Sequence, residues 1–143
     1  MVAVRSRIDI SVLPAFLESS IVKIEEYLAS RGEVPSEVPY VAIKSFRTLD
    51  PENTDIEIGV LVTSEMPDKS GIVNIIREER SVLSCFYQGP NEEMQPVYDE
   101  LLEWAAFNSM DIGGDAEEYY YSGPDMDPVK MITRIMLPLK RNN

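Results

Sequence analysis

The sequence predicts an α+β fold built from duplicated β-α-β-β units. These would form one antiparallel, curved sheet with two helices on one face and a groove at a pseudo-two-fold axis. Two observations predict it. Residues 14–62 run helix, loop, strand, strand, and residues 90–139 repeat that order. The copies also share one offset. Tyr27 in EEYLASRG and Trp104 in LLEWAAFN lie 104 − 27 = 77 positions apart, and Glu57 in DIEIGVLV lies the same distance from Arg134 in ITRIMLPL. Neither copy can bury its helix and sheet alone, but paired they can. The expected organisation is one domain over 1–143, with repeat one at about 5–62, a connector at 63–71 and repeat two at about 72–139. Grooves between repeats are favoured ligand sites.

The elements follow from periodicity. In RSRIDISVL, Ile8, Ile10 and Val12 alternate with Arg7, Asp9 and Ser11, the period of a half-buried strand that Pro14 ends. From about Phe16 the spacing lengthens, and Leu17, Ile21, Ile24 and Leu28 share one helical face. Gly32 after Arg31 is a stop signal. YVAIKSFRT reads as a second strand, PEN at 51–53 as a turn, and DIEIGVLV as a third strand. Its Ile56, Ile58 and Val60 should meet the helices. GIVNIIREER reads as an extra strand that turns near Glu79–Arg80, and SVLSCFYQG as another strand. Pro96 fits only a first helical turn, so the second helix begins near it and sets Val97, Leu101, Trp104 and Ala105 on one face. EEYYYSG and KMITRIMLPLK complete the repeat, with Ile135, Leu137 and Leu139 toward the helices. The opposite face of the sheet should be left open, displaying Glu57 and Arg134.

Composition narrows the function. Residues 1–71 carry 7 Lys+Arg against 12 Asp+Glu and residues 72–143 carry 6 against 13, so the net charge of −12 is shared by both halves. No basic cluster offers phosphate affinity, which argues against direct nucleic-acid binding. No apolar run reaches the ~18 residues of a membrane span. A signal-peptide pattern is lacking, and the one cysteine, Cys85, excludes an intrachain disulfide, so a cytoplasmic location is expected. The chain has no histidine. That removes the commonest general base and any ordinary zinc site, and no metal or cofactor is expected. The acidic stretch 111–127 lacks the spacing of a calcium loop and reads as solvated.

The run FYQGPNEEMQPVYDELLEWAAFNSMDIGGDAEEYYYSGP resembles the second half of the GyrI-like, gyrase-inhibitor-like effector-binding family. The matching positions are Gly89-Pro90, Glu92-Glu93, Tyr98, Leu101-Leu102, Glu103-Trp104, Tyr120, Pro124 and Leu137-Pro138-Leu139, and PYVAIKSF and DIEIGVLV match in the first half. The resemblance covers about 8–139 and implies the duplicated, SHS2-type fold. It also implies a multidrug-regulator-like domain that binds flat, lipophilic, often cationic small molecules in an aromatic cleft with a buried carboxylate.

Glu57 is the candidate carboxylate and Tyr120 the best-matched aromatic, with Tyr40, Trp104 and Glu118 as further candidate ligand contacts. Alternation puts Tyr119 and Tyr121 on one face and Tyr120 with Glu118 on the other. Many members of the family carry Glu where this chain has Arg134. Arg134 would pair with Glu57 across the axis or hold an anionic ligand, shifting preference away from lipophilic cations. The expected function is a stand-alone domain that sequesters or senses a hydrophobic ligand without catalysis, as monomer or dimer. The alternatives are an interaction module for DNA gyrase or a regulator protein and, less favoured, a hydrolase of strained electrophiles using Glu57 with Tyr120.

Overall fold

The computed structural model describes residues 1–48, 50–69, 71–75, 80–122 and 126–140. Seven strands form one antiparallel sheet: β1 (Val2–Ile8), β2 (Tyr40–Ile43), β3 (Thr54–Val60), β4 (Val73–Asn74), β5 (Val82–Gln88), β6 (Ala116–Tyr120) and β7 (Ile132–Pro138). Helix α1 (Leu13–Ser30) follows β1, and α2 (Gln95–Phe107) follows β5. The strand order is β4-β1-β3-β2-β6-β7-β5. Apart from β4, this order is a palindrome about the β2–β6 contact. The duplicated β-α-β-β architecture and the antiparallel sheet are therefore as the repeat predicts.

The cross-strand register locates the pseudo-two-fold. Val41 pairs with Glu118, flanked by Tyr40 opposite Tyr119 and Ala42 opposite Glu117. The offset of 77 carries Val41 onto Glu118 itself. The axis thus passes through this pair, at the middle of the sheet.

One face of the sheet carries Val4, Ile58, Val41, Glu118, Ile135 and Cys85 in a single cross-strand row. This is the helix face. Ile24, Tyr27 and Leu28 of α1 pack with Val2, Val4 and Val60, and Tyr98 and Ala105 of α2 pack with Ala116, Ile135 and Leu137. Helix α1 lies over β1 and β3, and α2 lies toward β5. The central strands β2 and β6 therefore run between the helices, with the Val41–Glu118 pair midway between them.

Several boundaries differ from the sequence reading. The first strand ends at Ile8, and Ile10–Val12 form a single 3-10 turn capped by the Asp9 carboxylate on Ser11 N–H. Pro14 lies in the first turn of α1, which begins at Leu13. A proline has no N–H to lose there, so it starts the helix as readily as it stops a strand. The second strand stops at Ile43, because Phe46–Thr48 turn as a 3-10 helix. Gly32 closes α1 as expected, with φ +69° and Glu33 N–H donating to Leu28 O. The extra connector strand is two residues long, β4, and the turns expected near Glu79 and at Pro124 lie outside the described residues.

The largest correction concerns the face away from the helices. The sequence reading leaves it open, yet Tyr40 is 0%, Glu57 2%, Glu117 2% and Tyr119 4% exposed. Tyr40, Ala42 and Tyr119 form an apolar cluster there with Met1, Val38, Leu61 and Met136. Strand β4 sits at one edge of the sheet and β5 at the opposite edge, so the chain changes edges between Asn74 and Val82. Arg80, just before β5, holds Glu117 on this face.

Candidate functional site

The candidate carboxylate of the sequence reading, Glu57, is buried in a closed polar network. Arg5 Nε donates to its Oε1 at 2.7 Å and the Tyr40 hydroxyl to its Oε2 at 2.8 Å. Tyr40 reaches it by lying across Gly59, where a Cβ would sit 2.7 Å from the Tyr40 hydroxyl oxygen. Burial pushes the Glu57 carboxyl up, but the hydrogen bonds from Arg5 and Tyr40 and the charges of Lys44 and Arg5 outweigh it and hold the group below its usual range. A carboxylate satisfied on both oxygens by its own chain has little left to offer a ligand.

Arg134 does not join Glu57. The two lie on strands separated by β2 and β6, and the Arg134 guanidinium lies 6.0 Å from the centre of the Phe86 ring. The expected pair across the axis is therefore absent; Glu57 pairs with Arg5 instead. Glu57 and Tyr120 face opposite sides of the sheet, so they cannot act together on one substrate. Trp104 is half exposed on α2, not part of the buried helix face that Tyr98 and Ala105 supply.

The structure brings together a different set. Glu118, 8% exposed, projects from β6 on the helix face, on the pseudo-axis. The Tyr98 hydroxyl of α2 donates to its Oε2, and the Tyr120 hydroxyl donates to its Oε1 at 2.7 Å. Burial, with Glu118 alongside, raises both phenols well above their usual range, so they act as donors. No described Lys or Arg forms an ion pair with Glu118. The surroundings are apolar. Val41, Ile56 and Ile58 form one wall with Phe16, Leu17, Ile21 and Ile43, against which Tyr120 packs. On the other side the Phe46 ring lies 5.7 Å from that of Tyr98.

Alternation placed Tyr120 and Glu118 together, apart from Tyr119 and Tyr121, and the register agrees. The sequence reading did not make Tyr98 a site residue. Its signal was available: Tyr98 is the polar tip on an otherwise apolar helix face, 77 positions after Ile21.

An aromatic cluster around a buried carboxylate at the axis of a duplicated domain is a small-molecule site in outline. Comparison with known proteins agrees with the fold. The C-terminal domain of EcmrR superimposes with a TM-score of 0.79 at 16% identity, covering 99% of this chain and 92% of that one. EcmrR in its complex with DNA gives 0.80 at 16% identity; the match covers 99% of this chain, which spans 53% of that one. A hydrolase from Listeria innocua gives 0.71 at 15% identity over 97% of this chain and 86% of its own. No curated protein matches the sequence. The family model described as the GyrI-like small molecule binding domain matches residues 1–140, nearly the whole chain, and the protein belongs to that family.

Proposed function

We propose that the protein captures a flat, lipophilic organic cation in the furrow between α1 and α2, with Glu118 as the charge partner. The observation that carries this is Glu118 itself. It is a buried carboxylate whose described partners are two neutral phenols and whose other neighbours are apolar. A carboxylate held in this way is costly to keep charged without a cation. A bound cation supplies the missing charge, and the aromatic faces of Tyr98, Tyr120 and Phe46 add attraction of about 0.5–2 kcal/mol each. Tyr120, the half-buried member, is the side chain a ligand displaces on entry. This reading reverses the preference for non-cationic ligands that Arg134 implied, because Arg134 lies on the other face.

The test uses proflavine, a planar cation, and fluorescein, a planar anion, titrated by fluorescence anisotropy. Proflavine should bind the native chain, and Glu118→Gln should weaken it at least about tenfold, or ~1.4 kcal/mol. Fluorescein should bind weakly to both. Equal proflavine affinity for the two proteins rejects the reading.

A further inference from the structure

The two outer edges of the repeat are treated differently. Strand β1, the first-half edge, is covered: β4 pairs with it through Val2–Asn74 and Ala3–Val73, and the Met1 and Ile75 backbones exchange two further bonds. Among the described residues its counterpart β5 pairs only with β7. Leu139 N–H donates to Ser81 O, and Gly89 N–H donates to Met131 O. These two bonds fix the phase of the β5–β7 ladder. Residues 81, 83, 85, 87 and 89 bond inward, so Val82, Ser84, Phe86 and Gln88 turn their N–H and C=O groups to the outer edge. Among the described residues those groups have no backbone partner.

Proteins usually blunt such an edge with charge, proline, a bulge or a short strand. Strand β5 has seven residues, and residues 81–89 contain no charged side chain, in a chain where 27% of residues are charged. Apolar surface adjoins it on both sheet faces. On one, Phe86 is 68% exposed, with Tyr121 and Ile132 beside it. On the other, α2 packs beside β5, with Val97 and Leu101 in one apolar cluster with Leu83 and Cys85, and burial, then the nearby Glu100 charge, raises the Cys85 thiol. Trp104 and Phe107 of the same helix are 50% and 90% exposed.

From this we infer that β5 is a homodimer edge, pairing antiparallel with β5 of a second copy to continue the sheet. A chain of net charge −12 meets its own copy most readily along a strand that carries no charge of its own. One register satisfies every free group. With Cys85 on the dimer axis, Val82 lies opposite Gln88 and Ser84 opposite Phe86 of the second copy. All four outward N–H and four outward C=O groups of each strand then find partners. Phe86 is covered on one face. Trp104 and Phe107 meet their counterparts on the other, since α2 packs over Ile135 and Leu137 of β7 as well as over β5, inboard of the edge. The two Cys85 residues form a non-hydrogen-bonded pair, with Cα atoms about 4.5 Å apart, within disulfide range.

The native chain should sediment as a dimer at about 50 µM, a micromolar association. Added salt should strengthen it by screening the two Glu100 carboxylates and the net charge. Ser84→Lys and Phe86→Lys, both at exposed positions, should each weaken it at least about tenfold while keeping the native circular dichroism spectrum. Diamide, which takes the two thiol hydrogens, should give a covalent dimer of the native chain. That product should be absent from Cys85→Ser and strongly reduced in Ser84→Lys, which retains the cysteine. A native chain that stays monomeric at this concentration overturns the proposal, as does a dimer unaffected by both lysines.

Discussion

The two halves share a backbone and differ where it matters most. Positions 21, 41 and 43 in the first half are Ile21, Val41 and Ile43. Their counterparts 77 positions later are Tyr98, Glu118 and Tyr120. The first triplet joins the apolar wall of the furrow and the second is its polar cluster. A duplicated fold brings equivalent positions together at its axis, so these three asymmetric exchanges give the furrow two chemically distinct sides. The other face also differs between halves, Glu57 against Arg134, but there the charges are absorbed by Arg5 and Phe86.

The comparison breaks most sharply if the apolar side is made polar. Val41→Glu would set a second carboxylate directly opposite Glu118, with Cβ atoms about 5 Å apart and no phenol of its own. The expected loss is about 3–5 kcal/mol in urea unfolding, the penalty of an uncompensated buried charge. A loss below about 1 kcal/mol would mean that the furrow is wet, and the two sides would then not differ in kind.

Making the polar side apolar should have the opposite sign. Glu118→Leu combined with Tyr98→Phe and Tyr120→Phe removes the network without leaving a stranded donor. Replacing a buried polar cluster in this way is often neutral or stabilising by about 1–4 kcal/mol. Thermal stability should hold or rise while proflavine binding is lost. Loss of both together would make the cluster a structural feature.

Tyr40→Phe probes the other face. It removes one of the described donors from buried Glu57, which costs about 1.5–3 kcal/mol at neutral pH. The sign with pH follows from Glu57 being held below its usual value. Its contribution is complete above the ordinary glutamate value of 4.5 and is lost as the pH falls through the lower folded-state value. The native chain should therefore lose stability on acidification, and Tyr40→Phe should flatten that limb. An unchanged acid limb would remove Glu57 from the account.

Much of this was legible in the sequence. The offset of 77 carries the duplication and the sheet, and alternation separates Tyr120 and Glu118 from Tyr119, but the place of the axis needs the β2–β6 register, which sets Val41 opposite Glu118 and keeps Glu57 from Arg134. Alternation distinguishes two faces of a strand but does not say which face is covered. That depends on Arg80 reaching Glu117 and on Met1, Val38, Leu61 and Met136 packing with Tyr40 and Tyr119, contacts between residues distant in sequence. Sequence alone therefore favours Glu57 over Glu118, because nothing in it shows that the Glu57 face is covered. Tyr98 matches the family pattern, but its reach to β6 depends on how α2 sits on the sheet.

The smallest expected effect sharpens the comparison at a pair where the halves look most alike. Tyr27 and Trp104 occupy the same repeat position, yet Tyr27 is 4% exposed, with its hydroxyl donating to Pro67 O, while Trp104 is 50% exposed. The aromatic type repeats and the burial does not, because the first half supplies a connector for Tyr27 to pack against. Trp104→Ala should then change stability by less than about 0.5 kcal/mol, as surface substitutions usually do. Measured in dilute solution, it should also leave proflavine affinity unchanged, since Trp104 is half exposed and takes no part in the Tyr98–Glu118–Tyr120 cluster. A drop in that affinity would move the ligand to the outer flank of α2, and the contrast between Ile21, Val41, Ile43 and Tyr98, Glu118, Tyr120 would no longer explain binding.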